Sequence, residues 1–241
     1  MNADMVQSIF QRYEIKFLLT KAQMAELMEL ISCHMVPDLY PHSSIRNIYY
    51  DTENFRLVRR SIDKPVYKEK LRVRCYTDIG PHDPVFVELK KKYQSVVYKR
   101  RIVLPRDEAE FWLAGGETTA QSQIAGEIAY FRDFYQALQP QVFLSYERDS
   151  YRDPVREDFR LTLDTDIRAR EDALDLSEAP GGFSVLDPEL TLMEVKTAGG
   201  IPLWLTHFLN GHGIRQTSIS KYGTYYQAFI YPQTERKVQY A

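Results

Sequence analysis

Residues 67 to 101 read YKEKLRVRCYTDIGPHDPVFVELKKKYQSVVYKRR and predict three consecutive strands with positive charge at alternate positions. Successive side chains of a strand point to opposite faces, so residues two apart share a face. In the first strand one face is basic, while apolar residues such as Leu71 and Val73 occupy the other. The cations of this strand are Lys68, Lys70, Arg72 and Arg74.

The second and third strands continue the basic face, with Lys90 and Lys92 on one and Lys99 and Arg101 on the other. Glu88 is the one clear acid among them. Like charges on neighbouring strands repel, so folding alone gives no reason to gather them. A solvated face is the simpler explanation for any single strand, but solvated faces normally mix signs. Agreement among three strands favours a polyanionic ligand.

The composition is that of an ordinary globular chain of 241 residues, with 44% hydrophobic and 27% charged residues. It predicts one domain over residues 1–241 with a sizeable core. No apolar run approaches the roughly 18 residues of a membrane-spanning helix, and the N-terminus lacks a signal-peptide pattern. Cys33 and Cys75 are too few for a disulfide framework and have apolar neighbours, so we expect both to be reduced and buried in a cytoplasmic protein.

Strands dominate the rest of the chain, and helices interrupt them without regular β-α-β alternation. Thr20 and Gln23 form the capping-box pattern of a helix that should end before Pro37. Residues 171–188, rich in Asp, Glu, Pro and Gly, predict an exposed excursion. The other predicted strands are residues 10–19, 45–51, 141–151, 155–164, 167–170 and 189–197, and the other helices are 106–113, 122–138, 202–210 and one from Ser220. This order predicts an α+β fold, a closed antiparallel barrel with helices packed outside.

The later strands add further cations at alternate positions. If all these faces point the same way, fourteen cations and four carboxylates share one surface, although the whole chain has a net charge of −2. Alternate residues of a barrel point inward, and about eight strands leave room for a ligand. So basic an interior repels itself unless water or anions fill it. The cations are Arg12, Lys16, Lys68, Lys70, Arg72, Arg74, Lys90, Lys92, Lys99, Arg101, Arg148, Arg160, Lys196 and Lys221, and the carboxylates are Glu14, Glu88, Asp164 and Glu194.

This mixture of side chains suits a chain of phosphates. Arginine grips phosphate oxygens with paired N–H groups, and lysine supplies a point charge. The few carboxylates suit Mg²⁺ or Mn²⁺, which binds through one or two carboxylates together with substrate phosphates. The net charge of −2 argues against bulk attraction to nucleic acid.

Eight short motifs, in order along the chain, resemble those of the triphosphate tunnel metalloenzymes, a CYTH-like superfamily. Within it they resemble most the VTC (vacuolar transporter chaperone) polyphosphate polymerase domain. The motifs are Arg12-Tyr13-Glu14-Ile15-Lys16, Tyr49-Tyr50-Asp51-Thr52, Lys70-Leu71-Arg72-Val73-Arg74, Glu88-Leu89-Lys90, Tyr146-Glu147-Arg148, Arg160-Leu161-Thr162-Leu163-Asp164, Glu194-Val195-Lys196 and Ser220-Lys221-Tyr222. The resemblance runs from Arg12 to Phe229 and implies a closed eight-stranded antiparallel tunnel.

The VTC branch makes polyphosphate from ATP, so the resemblance implies a metal-dependent polyphosphate polymerase. Such an enzyme transfers the γ-phosphoryl group of ATP to phosphate or to a growing chain inside a basic tunnel. The superfamily pattern begins Glu-x-Glu-x-Lys, and Arg12 replaces the first Glu here. This departure removes one potential metal ligand and favours the VTC branch over the tripolyphosphatase and cyclase branches.

Each site residue follows as an expectation from this resemblance and from the charge pattern. The residues expected to hold the triphosphate of ATP are Lys70, Arg72, Arg74, Lys90, Lys99 and Arg101, with Lys16 also binding the nucleotide. Those expected to continue the path for acceptor and product are Arg148, Arg160, Lys196 and Lys221. Glu194 is the first candidate ligand for Mn²⁺ or Mg²⁺, and Glu14 and Glu88 are further candidates.

Two other functions stay open, a tripolyphosphatase or nucleoside triphosphatase in the same tunnel and a non-catalytic polyphosphate-binding module. An acceptor phosphate is already anionic near neutral pH, whereas hydrolysis requires activation of water. The sequence offers no obvious His or carboxylate for that role, which favours the polymerase. The expected partners are ATP, triphosphate, phosphate and polyphosphate, without nucleic acid or a transmembrane segment, and the oligomeric state is open.

Overall fold

The computed structural model describes residues 13–77, 79–94 and 96–233. The strands are β1 Tyr13–Thr20, β2 Val36–Asp51, β3 Tyr67–Cys75, β4 Pro84–Tyr93, β5 Val96–Pro105, β6 Gln139–Arg152, β7 Arg160–Arg170, β8 Phe183–Ser184, β9 Leu190–Thr197 and β10 Gln216–Thr217. The helices are α1 Lys21–His34, α2 Arg56–Ile62, α3 Arg106–Leu113, α4 Gln123–Tyr135, α5 Leu203–Gly211 and α6 Lys221–Tyr225, with a π-helical turn at Tyr226–Ile230. Arg12 lies outside the described residues.

The predicted α+β class with an antiparallel sheet is confirmed. In order of hydrogen bonding the strands run β10–β1–β9–β7–β6–β2–β3–β4–β5, with β8 beside β7. Among the described strands, backbone hydrogen bonds leave this path open at β10 and β5.

The chain divides into two compact units. Unit 1 comprises Met1–His42, Asp149–Asp164 and Glu189–Ser218, and unit 2 comprises Ser43–Arg148, Thr165–Pro188 and Ile219–Ala241. The long strands β2, β6 and β7 contribute residues to both units. This division does not test the prediction of a single domain over residues 1–241, which stays a prediction.

In unit 1, β1 pairs with β9, and β9 pairs with the first half of β7. One face of these strands is apolar and, with α1 and α5, encloses a core that includes Phe17, Leu161 and Val195. The predicted capping box is confirmed, because the Thr20 hydroxyl accepts from the Gln23 backbone and the Gln23 side chain accepts from the Thr20 backbone. The helix therefore begins directly at the end of β1.

In unit 2, β2, β3, β4 and β5 pair in sequence order. The apolar face of the three basic strands is buried, with Leu71, Val87 and Leu89 all at 0% exposure. Helices α3 and α4 contribute Trp112 and Ile128 to the same core. The cations at alternate positions consequently lie on the other face of this sheet.

Several details differ from the predictions. Helix α2 was not predicted, since seven residues after a turn carry little periodic signal. The excursion at residues 171–188 is not wholly exposed, because Leu176 and Val185 are buried. Cys33 is exposed, so the prediction that it is buried is wrong, whereas Cys75 is buried as expected.

None of the described helices has the length and apolar character needed to cross a membrane.

Candidate functional site

The register of unit 2 aligns the basic residues in rows across neighbouring strands. Tyr49 of β2 lies opposite Arg72 of β3, Arg72 lies opposite Glu88 of β4, and Glu88 lies opposite Arg101 of β5. Residues directly opposite each other share a face of the sheet. A second row, two positions further along, contains three lysines and no acid: Lys70, Lys90 and Lys99.

Glu88 is the counter-ion of both rows. Its carboxylate is 1% exposed and accepts from Arg72 Nε at 2.8 Å, from Lys99 Nζ at 2.8 Å and from Arg101 Nε at 2.6 Å. Burial alone would raise the pKa of Glu88, but Arg72, Arg74 and Lys99 hold it far below its usual range. These contacts indicate that Glu88 orients the cations around it, while its role as a metal ligand stays a prediction.

Arg74 is the most deeply held of the predicted phosphate ligands. It is 5% exposed, and its Nε donates to Asn47 Oδ1 at 2.8 Å while its Nη2 donates to the Tyr146 hydroxyl at 2.9 Å. Asn47 is itself fixed, because its Nδ2 donates to the Leu144 carbonyl at 3.0 Å. The guanidinium therefore has a defined orientation before any ligand arrives.

The ring of Tyr146 contacts two further cations of unit 2. Lys221 Nζ lies 4.6 Å from the ring centroid and the Arg148 guanidinium carbon 5.3 Å from it, both within cation–π range. Lys70 Nζ donates to Ser220 Oγ at 2.7 Å, next to Lys221 in sequence. The predicted site residues Lys70 of β3 and Arg148 of β6 are therefore both linked to the start of α6, through Ser220 and through the Tyr146 ring that Lys221 also contacts.

Lys99 is a cation of this face whose charge is easily lost. Burial lowers its pKa, contact with Glu88 raises it, and the positive charges of Arg101 and Arg72 lower it again, giving a value of about 8. A bound polyanion would stabilise the ammonium form and raise this pKa. Any anion that bound at this face would therefore be coupled to protonation of Lys99.

The predicted residues of unit 1 lie on neighbouring strands β1, β9 and β7. Lys16 lies opposite Glu194, and its Nζ is 3.0 Å from Glu194 Oε1 and 3.5 Å from Glu14 Oε1. Lys196 lies opposite both Glu14 on β1 and Arg160 on β7. This cluster mixes both signs, unlike the lysine row of unit 2.

The unit 1 cluster fits a hard divalent cation. Thr162 lies opposite Glu194, and its buried Oγ1 has no hydrogen-bond partner among the described residues. Two carboxylates and this hydroxyl are the oxygen donors that Mg²⁺ and Mn²⁺ prefer. Within the described part of the chain no group of three or more His, Cys, Asp or Glu residues is arranged to hold a metal, so water or phosphate oxygens would complete the coordination.

Sequence reasoning assigned no role to the positioning residues on β2, although Tyr49 and Asp51 lie in one of the quoted motifs. Asn47 and Tyr49 hold Arg74 and Arg72, and Asp51 accepts from the backbone N–H groups of α2 and from the Tyr222 hydroxyl at 3.0 Å. A signal was present, because these three residues alternate with the apolar positions of β2. Their partners lie on other strands and helices, however, and one sequence gives no indication of which.

Comparison with solved structures shows which known fold this chain shares. A candidate adenylate cyclase from Bacillus halodurans superposes with a TM-score of 0.52 at 16% identity, covering 87% of this chain and 95% of that one. A candidate adenylyl cyclase from Hippeastrum, described as having a dominant triphosphatase activity, gives 0.51 at 18% identity over 89% and 94%. The curated proteins include no significant match. The fold is that of the triphosphate tunnel proteins.

The family is identified by the sequence itself. The VTC domain matches residues 11–230, nearly the whole chain. The protein therefore belongs to the VTC domain family, as the ordered motifs indicated.

The Glu88 cluster predicts a pH-dependent contribution to stability. Because the pKa of Glu88 is lowered by folding, its contribution is complete above the unfolded value of about 4.3 and is lost as the pH falls below it. Glu88→Gln should lower the free energy of unfolding at pH 7, and the difference from wild type should shrink between about pH 5 and pH 3. Urea unfolding across this range measures it. Glu127→Gln, which removes a carboxylate paired with Arg100, is the control and should show a smaller effect.

Proposed function

We propose that this protein is a metal-dependent polyphosphate polymerase, which transfers the γ-phosphoryl group of ATP to phosphate or to a growing polyphosphate chain. Membership of the VTC domain family and the triphosphate tunnel fold support an enzyme acting on triphosphates. The observation that carries the proposal is the row of Lys70, Lys90 and Lys99 beside the Glu88 cluster. Like charges on adjacent strands are costly without an anionic ligand.

The basic face supplies what phosphoryl transfer needs from a protein, namely positioning and neutralisation of charge. Arg72 and Arg101 are oriented by the same buried carboxylate, so their guanidinium groups lose little freedom when a phosphate binds. Arg74 is fixed by Asn47. The triphosphate would lie against these arginines and the lysine row, with its negative charge spread over several cations.

The character of Glu88 favours an anionic acceptor over water. A carboxylate whose pKa is held far below its usual range is a poor general base. Asp51 is also a poor candidate for the general base, because its oxygens already accept hydrogen bonds from two backbone N–H groups of α2 and from the Tyr222 hydroxyl. Phosphate and polyphosphate ends are already anionic near neutral pH and need no such base. Hydrolysis remains the second candidate, since the Hippeastrum protein is described as a triphosphatase.

The metal is assigned to unit 1 in this proposal. Glu194, assisted by Glu14 and the Thr162 hydroxyl, would hold Mn²⁺ or Mg²⁺. When bound, the ion supplies additional positive charge to phosphate oxygens. Lys16 would balance the two carboxylates before the ion enters, because it contacts both. A cytoplasmic location and the absence of nucleic-acid partners stay predictions.

The products made from ATP test this function directly. We expect incubation with ATP and Mn²⁺ to yield phosphate chains longer than the triphosphate donor, resolved as a ladder on a polyacrylamide gel. Free phosphate without a ladder would support the hydrolase instead. Binding of tripolyphosphate without turnover in either Mn²⁺ or Mg²⁺ would contradict both enzymatic functions and support a binding module.

Two adjacent lysines of β4 provide a matched test of the binding face. Lys90 lies in the lysine row, whereas Lys91 points to the opposite face, where its Nζ is 3.9 Å from Glu127. Lys90→Ala should weaken tripolyphosphate binding about tenfold, as expected for one hydrogen bond to a charged group. Lys91→Ala should leave it within about twofold. Calorimetric titration measures both, and equal losses would show that the basic face is not the binding face.

A carboxylate of β9 tests the metal site. Glu194→Gln should weaken Mn²⁺ binding at least about tenfold, because it removes a charged ligand. Turnover should fall with it. Mn²⁺ binding followed by electron paramagnetic resonance gives a readout independent of activity. The control is Glu189→Gln, which changes an exposed carboxylate paired with Lys21. Unchanged Mn²⁺ binding in Glu194→Gln would exclude this residue as a ligand.

A further inference from the structure

We propose that Tyr49 is a further phosphate-binding residue of this site, whose hydroxyl donates a hydrogen bond to a phosphate oxygen of the bound triphosphate. The inference rests on the proposed function of the basic face in unit 2. It assigns to that face a neutral donor with a fixed position, in addition to its cations. Such a donor binds phosphate without adding to the charge that has to be balanced when the site is empty.

The hydrogen bonds of Tyr49 leave its proton available. The phenol oxygen accepts from Arg72 Nη1 at 3.1 Å, which uses one lone pair and not the O–H group. Among the described residues, this hydroxyl donates no hydrogen bond. Tyr49 is only 7% exposed, and a buried donor without an acceptor is costly. A phosphate oxygen bound beside Arg72 would supply that acceptor.

The ring of Tyr49 is held in place by its neighbours. It stacks on Tyr222 with the centroids 4.7 Å apart and an interplanar angle of 25°. Tyr222 is anchored in turn, because its hydroxyl donates to Asp51 Oδ2 at 3.0 Å. The Tyr49 side chain therefore presents its hydroxyl at one defined point, in the same cross-strand row as Arg72, Glu88 and Arg101.

The charges around Tyr49 make its proton responsive to pH. Burial alone would raise the pKa of its phenol, but the positive charges of Arg72, Lys70 and Arg74 outweigh burial and lower the pKa to about 8. The groups that face it are Lys70, Arg72 and Arg74 of β3, with Glu88 beyond Arg72, and Tyr222 of α6, with Asp51 behind it.

Binding of a polyanion and ionisation of the Tyr49 phenol oppose each other. A bound polyanion favours the neutral phenol and raises the pKa of Tyr49, so binding above about pH 8 takes up a proton. Affinity for tripolyphosphate should therefore fall as the pH rises through this range.

The test compares Tyr49→Phe with Tyr50→Phe, its neighbour on the core face of β2. Both changes keep the ring, and only the first removes a hydroxyl from the basic face. Calorimetric titration with tripolyphosphate should show about tenfold weaker binding for Tyr49→Phe at pH 7 and a flatter pH dependence up to pH 9. Tyr50→Phe should bind as the wild type does, with the same pH dependence.

Phenolate absorbance provides a second readout, which a purely structural role would not affect. The free wild type should show a tyrosine ionising near pH 8 that is absent from Tyr49→Phe and moves to higher pH when tripolyphosphate is added. Wild-type binding with no difference between the two variants would overturn the inference and leave the proposed function intact. Failure of the wild type to bind tripolyphosphate would instead overturn the proposed function.

Discussion

A single buried carboxylate, that of Glu88, holds together the cations of the basic face of unit 2. Arg72 and Arg101 lie directly across the neighbouring strands from it, and Lys99 reaches it from the adjacent row. Without this counter-ion, cross-strand register alone would set several cations side by side at strand spacing. The carboxylate is close to three of them at once, so its ionised form is strongly favoured and each cation acquires a preferred orientation.

The other face of the same strands supplies the stability that such an arrangement requires. Leu71, Val87 and Leu89 are fully buried under α3 and α4, and each alternates in sequence with a residue of the basic face. Burial of apolar surface is the dominant favourable contribution to folding, and it fixes the register of a strand that has one apolar face. A slip of one residue would bury the lysines and expose the core. The core therefore determines where the charges lie.

The alternation of side chains was sufficient to predict these strands and to assign each cation to its face, because strand period and burial are local properties of the sequence. The capping box at Thr20 was predictable for the same reason. What the sequence could not provide was the set of non-local partners. Asn47 and Tyr49 hold arginines of another strand, and Asp51 binds α2 and α6, but their alternation with apolar positions does not indicate these partners. Helix α2 was missed because an aspartate carboxylate, rather than an apolar stripe, fixes its first turn.

The partial neutralisation of the basic face by Glu88 also affects turnover at a site of the proposed kind. A face made of cations alone would bind a triphosphate and a longer chain with similar and very high affinity, and tight uniform binding does not accelerate chemistry. Glu88 reduces the net charge that faces the ligand, and the pKa values of Lys99 and Tyr49 lie close enough to neutrality for both groups to exchange protons as the ligand charge changes. Arg72 keeps its charge throughout, because its pKa is raised further above its usual range. A site of the proposed kind would combine fixed positive charge, which orients phosphates, with adjustable protons, which limit how strongly any one anionic species is retained.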